Sequence, residues 1–163
     1  MARIPLIAGN WKMNKTVDEA VVLVKDLMPR AQGLEKVEIA VCPPATMLHA
    51  VSTALGNSDI ALGAQDVFWA DSGAFTGMLS PLMLVDVGCK YAIIGHSERR
   101  GRFGVPDETL SAEATRVFGD TDASVNLKVK AALKHGLVPI VCVGEMLPER
   151  EQERTDDVIA AQV

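Results

Sequence analysis

Five short apolar runs recur along the chain, and their order limits the fold more than any other feature. They occupy residues 4–8, 37–42, 60–64, 91–94 and 138–143. Each is rich in Val, Ile or Ala and lacks polar alternation, so each predicts a strand covered on both faces. Segments of helical period lie between them, the pattern of β/α units wound around a parallel sheet.

The helical segments carry their own punctuation. Thr16 and Glu19 form a capping box ahead of a helix whose inward face is Ala20, Val21, Val24, Leu27 and Met28, and Pro29 is expected to close it. A second helix is expected over 45–55, with Met47, Leu48, Val51 and Leu55 inward and Gly56-Asn57 at its end. Ser80 caps a third, with Pro81 at its first position and Gly88 as its stop. A fourth, over 124–135, turns Val125, Val129, Ala132 and Leu133 to one side and ends at Gly136. Residues 147–163 read as one further helix. Between the fourth strand and fourth helix, residues 101–122 form a long loop with one short helical turn near 112–117. Phe103-Gly104 and Phe118-Gly119 echo one another within it, and residues 104–118 have the character of a solvent-exposed insertion. With no linker or low-complexity tract, the 163 residues form a single domain.

Composition excludes several classes of function. A net charge of -5, with no clustered stripe of Lys and Arg, argues against nucleic acid and membrane surfaces as partners. No apolar run approaches the roughly 18 residues of a membrane span, and residues 1–10 lack the features of a signal peptide. The chain is read as cytoplasmic. Cys42, Cys89 and Cys142 are too few for a disulfide framework and lack metal-ligand spacing, so no metal is expected, and Cys42 and Cys142, each in an apolar run, are read as buried thiols.

In parallel α/β folds, ligands collect beyond the carboxyl ends of the strands. Three such ends are polar here: Gly9-Asn10-Trp11-Lys12-Met13-Asn14, Gly63-Ala64-Gln65-Asp66 and Gly95-His96-Ser97-Glu98-Arg99-Arg100. Lys12, with Asn10 two residues earlier, is either a solvated loop lysine or the cationic contact of a small anionic substrate. His96 is either a hydrogen-bonded structural histidine or a group that polarises a carbonyl and moves a proton. His49 and His135 fall within helices and are read as surface or packing residues. Trp11 and Trp69 are read as packing anchors, and Glu98, Arg99 and Arg100 taken alone as a charged structural network.

At these residues the pattern matches a known family. Ala8-Gly9-Asn10-Trp11-Lys12-Met13-Asn14 and Ile94-Gly95-His96-Ser97-Glu98-Arg99-Arg100 resemble the two N-terminal signatures of triosephosphate isomerases. Gly73-Ala74-Phe75-Thr76-Gly77, Val125-Asn126 with Lys128-Val129, and Cys142-Val143-Gly144-Glu145 extend the resemblance over nearly the whole chain. It implies a partial (β/α)8 barrel of about five parallel strands, open or completed by self-association. It also implies interconversion of dihydroxyacetone phosphate and glyceraldehyde 3-phosphate through an enediolate, without cofactor or metal. Asn10 and Lys12 match substrate contacts, and Lys12 offsets negative charge. His96 matches the electrophile, and the family itself is the standard illustration of a neutral imidazole in that role. Glu98 matches a carboxylate that holds the lysine, with Ser97 beside it. Thr76 lies in the loop that in the family reaches a neighbouring subunit, so a homo-oligomer is implied.

Two departures shape the functional expectation. Met78 stands where the family usually has Glu, which removes that carboxylate's intersubunit partnership with Arg99. A closed barrel has eight units in about 250 residues, whereas five units are legible here, without the family's sixth-strand glutamate, lid loop or late phosphate-binding turns. Three readings follow. The chain is a portion of an isomerase, inactive or weak by itself and completed by a complementary C-terminal barrel fragment. Alternatively, self-assembly makes a small isomerase with a substitute base, Glu145 or Glu98 being the first candidates. Or the chain is a non-catalytic oligomerisation or binding module.

Overall fold

The computed structural model describes residues 3–102, 111 and 113–163. Five strands appear in the expected order: β1 (Leu6–Asn10), β2 (Glu38–Cys42), β3 (Ile60–Ala64), β4 (Cys89–Ile94) and β5 (Val138–Val141). All neighbouring pairs are parallel and the sheet order is β1-β2-β3-β4-β5, so each β/α unit lays its strand beside the previous one. The sheet is an open portion of a (β/α)8 barrel.

The helices are α1 (Val17–Ala31), α2 (Leu48–Leu55), α3 (Pro81–Asp86), α4 (Asp122–Lys134), α5 (Leu147–Glu151) and α6 (Thr155–Gln162). Short 3-10 turns occupy Ala45–Met47 and Ala114–Val117. Val24 of α1, Val51 of α2, Leu84 of α3 and Val125 of α4 meet Val41, Leu62, Ala92 and Ile94 in one core on the helix side of the sheet. Alternation then assigns Ala40, Cys42, Gly63 and Tyr91 to the other, concave face. Glycine is required at position 63 by that curvature: a Cβ there would stand 2.6 Å from Cys42 Sγ and 3.2 Å from Tyr91 Cβ.

The starts of α1 and α3 are as expected, whereas α4 begins two residues early, at Asp122 behind a Thr121 cap, and α2 begins at Leu48 after its 3-10 turn. Both halves of the Thr16–Glu19 capping box are made, and the Ser80 hydroxyl accepts the Met83 N–H with Pro81 in the first turn. Met47, Leu48, Val51 and Leu55 are all buried.

Several expectations are corrected. Pro29 does not end α1, which runs to Ala31; the carbonyl deprived of a donor belongs to exposed Lys25, where solvent reaches it. Leu133 points outward at 59% exposure, because α4 is rotated to bury Val125, Lys128, Ala131 and Ala132. Residues 147–163 are two helices, broken where Glu153 takes φ +58°. The Gln162 side chain folds α6 back by pairing with both backbone groups of Gly144, at 2.8 and 3.1 Å. The edge strands are not covered on both faces: Ile7, Val138 and Val141 are exposed, whereas β2, β3 and β4 are largely buried. Edges lack a neighbour on one side, and the apolar runs that signal strands are silent about position in the sheet.

The insertion expected at 104–118, including the Phe103-Gly104 echo, lies largely outside the described residues. Its flanks are fixed. Arg102 N–H donates to Ser97 O, and Asp120 N–H donates to Arg99 O.

Candidate active site at the carboxyl ends of the strands

The loops after β1, β3 and β4 converge on one cleft of about 320 Å³, lined by Asn10, Lys12, Gln65, His96, Glu98 and Arg99 among others. Lys12 is held by backbone and side chain alike. Its N–H donates to Asn10 Oδ1 at 3.0 Å, and its carbonyl accepts from Gln65 Nε2 at 2.9 Å. Its ammonium lies 2.7 Å from Glu98 Oε1. Gln65 also donates to the Cys42 carbonyl at 2.8 Å, tying the β1 loop to the end of β2. Lys12 has φ +54°, in the left-handed region. A non-glycine residue there costs roughly 1–3 kcal/mol, so its surroundings must hold it. One ammonium proton is engaged by Glu98, and the remaining donors of this half-exposed side chain are available to an anion.

His96 follows β4 and opens a turn, with Arg99 N–H and Arg100 N–H both returning to its carbonyl. The Glu98 N–H donates to His96 Nδ1 at 3.2 Å. Nδ1 is therefore an acceptor, and the ring proton is assigned to Nε2 of a neutral imidazole. Glu98 Oε2 is 3.4 Å from the same nitrogen. An unprotonated nitrogen offers it no proton, so that contact is not an ion pair in this tautomer.

His96 also borders a second cleft of about 440 Å³, shared with Ser97, Arg100, Cys142 and Glu145. Glu145 is engaged elsewhere. Its carboxylate accepts from Arg150 Nε at 2.6 Å and from the Thr155 hydroxyl at 3.3 Å. Its own backbone N–H, then Arg150, hold it below the usual carboxylate range. Cys142 is partly exposed and its thiol is raised by burial, whereas burial lifts Cys42 to about 11 and Cys89 to about 12. None is poised as a thiolate at neutral pH.

Of the residues singled out in the sequence, Asn10, Lys12, His96 and Glu98 share the first cleft, and Ser97 lies exposed on the second. Thr76 is exposed on the loop after β3, outside the linings of both clefts. Trp11 packs on the core, and Trp69 stacks on Phe68 at 4.0 Å between ring centres. His135 meets Asp71 at 2.8 Å.

One cluster was not anticipated. Lys128, 2% exposed, lies 2.7 Å from Asp66 Oδ1 and 2.8 Å from Asp120 Oδ1, while Arg99 Nη2 is 3.0 Å from Asp66 Oδ2. A signal was present, since Lys128 shares one helical face with Val125 and Ala132. A lysine on an apolar face needs carboxylates, and Asp66 and Asp120 supply them.

An open portion of a β/α barrel with lysine, histidine and carboxylate gathered at the carboxyl ends of its strands has the architecture of (β/α)8-barrel proteins and places its candidate site on the face where such barrels carry theirs. The triosephosphate isomerase family model matches residues 5–163, and the chain belongs to that family. It is 51% identical over 161 residues to triosephosphate isomerase of Chloroflexus aurantiacus, covering 99% of this chain and 58% of that protein. It is 48% identical to the Pelobacter propionicus triosephosphate isomerase, again covering 99% and 58%. The crystal structure of triosephosphate isomerase from Bartonella henselae superposes with a TM-score of 0.84 at 38% identity, covering 98% of this chain and 60% of that one. The chain thus spans less than two thirds of the length of these relatives.

Proposed function

We propose that the Lys12–His96 cleft is the N-terminal part of an active site that interconverts dihydroxyacetone phosphate and glyceraldehyde 3-phosphate. The observation that carries this reading is the joint hold on two groups by Glu98: its carboxylate fixes the Lys12 ammonium at 2.7 Å while its N–H occupies His96 Nδ1. Lys12 and Asn10 meet the negative charge of the triose phosphate. His96, neutral and protonated at Nε2, donates to the oxygens on which enediolate charge develops. Glu98 is a positioning residue for both.

On this reading the 163 residues by themselves turn over weakly or not at all. Among the described residues, both carboxylates considered as a base are engaged, Glu98 with Lys12 and Glu145 with Arg150 and Thr155. Glu145, held ionised below the usual range, is also a weaker base than an unperturbed glutamate. Competence then needs a complementary C-terminal barrel segment, or a second copy along the open β1 and β5 edges. The compartment we assign is the cytoplasm. No helix among the described residues is long and apolar enough to cross a membrane.

The test is isomerase turnover by the purified chain from a host without its own isomerase, beside His96→Ala and Lys12→Ala. Each is assayed alone and mixed with the separately produced C-terminal remainder of the Chloroflexus aurantiacus relative. Background turnover alone, rising on mixing and abolished by either substitution, is the expected result. Turnover alone that both substitutions abolish supports the self-assembled enzyme instead. A mixture that assembles and turns over equally with either substitution rejects the assigned roles.

A further inference from the structure

Lys128 is the most buried charge among the described residues, and the proposed chemistry makes no use of it. Its position in the hydrogen-bond network gives it a role. Lys128 Nζ stands between two carboxylates, Asp66 at 2.7 Å and Asp120 at 2.8 Å, whose side chains are 23% and 8% exposed. Without that cation the two anions would face one another across a partly dry space, with Arg99 the remaining cation on Asp66.

Asp66 has two routes to Lys12. Through the backbone it adjoins Gln65, whose amide donates to the Lys12 carbonyl at 2.9 Å. Through Arg99, held at 3.0 Å, it fixes the turn that presents Glu98, whose carboxylate takes the Lys12 ammonium. One route acts on the Lys12 backbone, at φ +54°, and the other on its side chain. Asp120 touches the Arg99 turn through its backbone, its N–H donating to Arg99 O, a bond that a change of its side chain leaves in place.

We infer that Lys128 is a positioning residue for Lys12, acting through Asp66 to keep Lys12 in its left-handed backbone conformation with its ammonium aimed into the cleft. The significance of this geometry rests on the function proposed above, but the geometry itself is measurable without ligand.

The test is nuclear magnetic resonance of the isotopically labelled chain, read at Lys12. Its amide-to-Hα coupling and carbon shifts report φ, while the methyl shifts of Val24, Val51 and Leu84 report the core. Lys128→Met and Asp66→Asn are expected to abolish the left-handed signature of Lys12 and leave the core methyls in place. Asp120→Asn, which keeps the Lys128–Asp66 pair, is expected to retain that signature. A purely structural role would not separate the two aspartate variants. The inference is overturned if Lys12 keeps its signature in folded Lys128→Met and Asp66→Asn, or if Asp120→Asn removes it as completely as Asp66→Asn. It is also overturned if neither Lys128→Met nor Asp66→Asn folds, since the cluster is then a requirement of the fold as a whole. Triose phosphate titrated into the unsubstituted chain assembled with the C-terminal remainder of the Chloroflexus aurantiacus relative separates the two readings. The expected pattern at Lys12 without binding keeps the positioning role and rejects the function; binding with the Lys12 signature intact in every variant does the reverse.

Discussion

The middle and the edges of this sheet are built from similar residues yet stand in different environments. Ile94 of β4 has no exposed surface, whereas Ile7 of β1 is 61% exposed. Both are isoleucines in apolar runs of a parallel sheet. The difference is neighbours: β4 is paired on both sides and backed by Val125 and Leu84, while β1 pairs on one side with β2. The candidate site draws on both environments. Asn10 and Lys12 come from the open edge, His96 and Glu98 from the buried centre, and Gln65 and Glu98 join them across the sheet. A strained lysine in the loop after an edge strand therefore takes its order from the centre.

The comparison sets a scale for substitutions. Ile94→Ala removes a fully buried side chain and is expected to cost about 2–5 kcal/mol, whereas Ile7→Ala is expected to stay within about 0.5 kcal/mol. Urea unfolding followed by circular dichroism measures both. Equal losses would mean that β1 is covered in solution, which would make self-association along that edge the next measurement. Gly63→Ala is next in size. Its new Cβ would press on Cys42 and Tyr91, an overpacking expected to cost about 1–3 kcal/mol, read as a lower urea midpoint at unchanged slope. Thr16→Ala removes the side-chain half of the α1 capping box and is expected to cost about 1 kcal/mol.

The legible part of the fold was the part governed by local chemistry. Thr16 with Glu19, Ser80 with Pro81, and the apolar faces of α1 and α2 could be read because capping and periodicity act within one or two turns. Two local readings nevertheless failed because longer-range contacts outweighed them. Leu133 looked inward by spacing, but α4 is turned so that Lys128 reaches Asp66 and Asp120, which lie 62 and 8 residues away in sequence. The stretch after β5 looked like one helix, but Gln162 and Glu145 draw α6 back onto the end of that strand. At the site, Asn10, Lys12, His96 and Glu98 were legible as residue types after apolar runs and as family signatures. Their mutual geometry, above all the hold of Gln65 on the Lys12 carbonyl, depends on strand order in space.

A further small effect is electrostatic and lies across the three central strands. Glu38 at the start of β2 takes a hydrogen bond from Lys90 at the start of β4, and these strands are separated by β3. The Lys90 hydrogen bond, followed by that of Tyr91, holds the Glu38 carboxyl below the usual glutamate range. A carboxyl lowered on folding stabilises the native state above its unfolded value, near 4.3, and that contribution is lost as pH falls through the lower folded value. The side chains are 29% and 53% exposed, so water screens the pair and the contribution at neutral pH is expected to be about 0.2–1 kcal/mol. Urea midpoints at pH 7 and pH 3 for the unsubstituted chain and Glu38→Gln test this. The substitution should lower the midpoint slightly at pH 7, and the gap should narrow at pH 3, where the native carboxyl is also taking up its proton. A gap that stays the same at both pH values would mean that Glu38 acts through packing against Tyr91 and not through its charge. The centre of the sheet would then differ from its edges in burial alone.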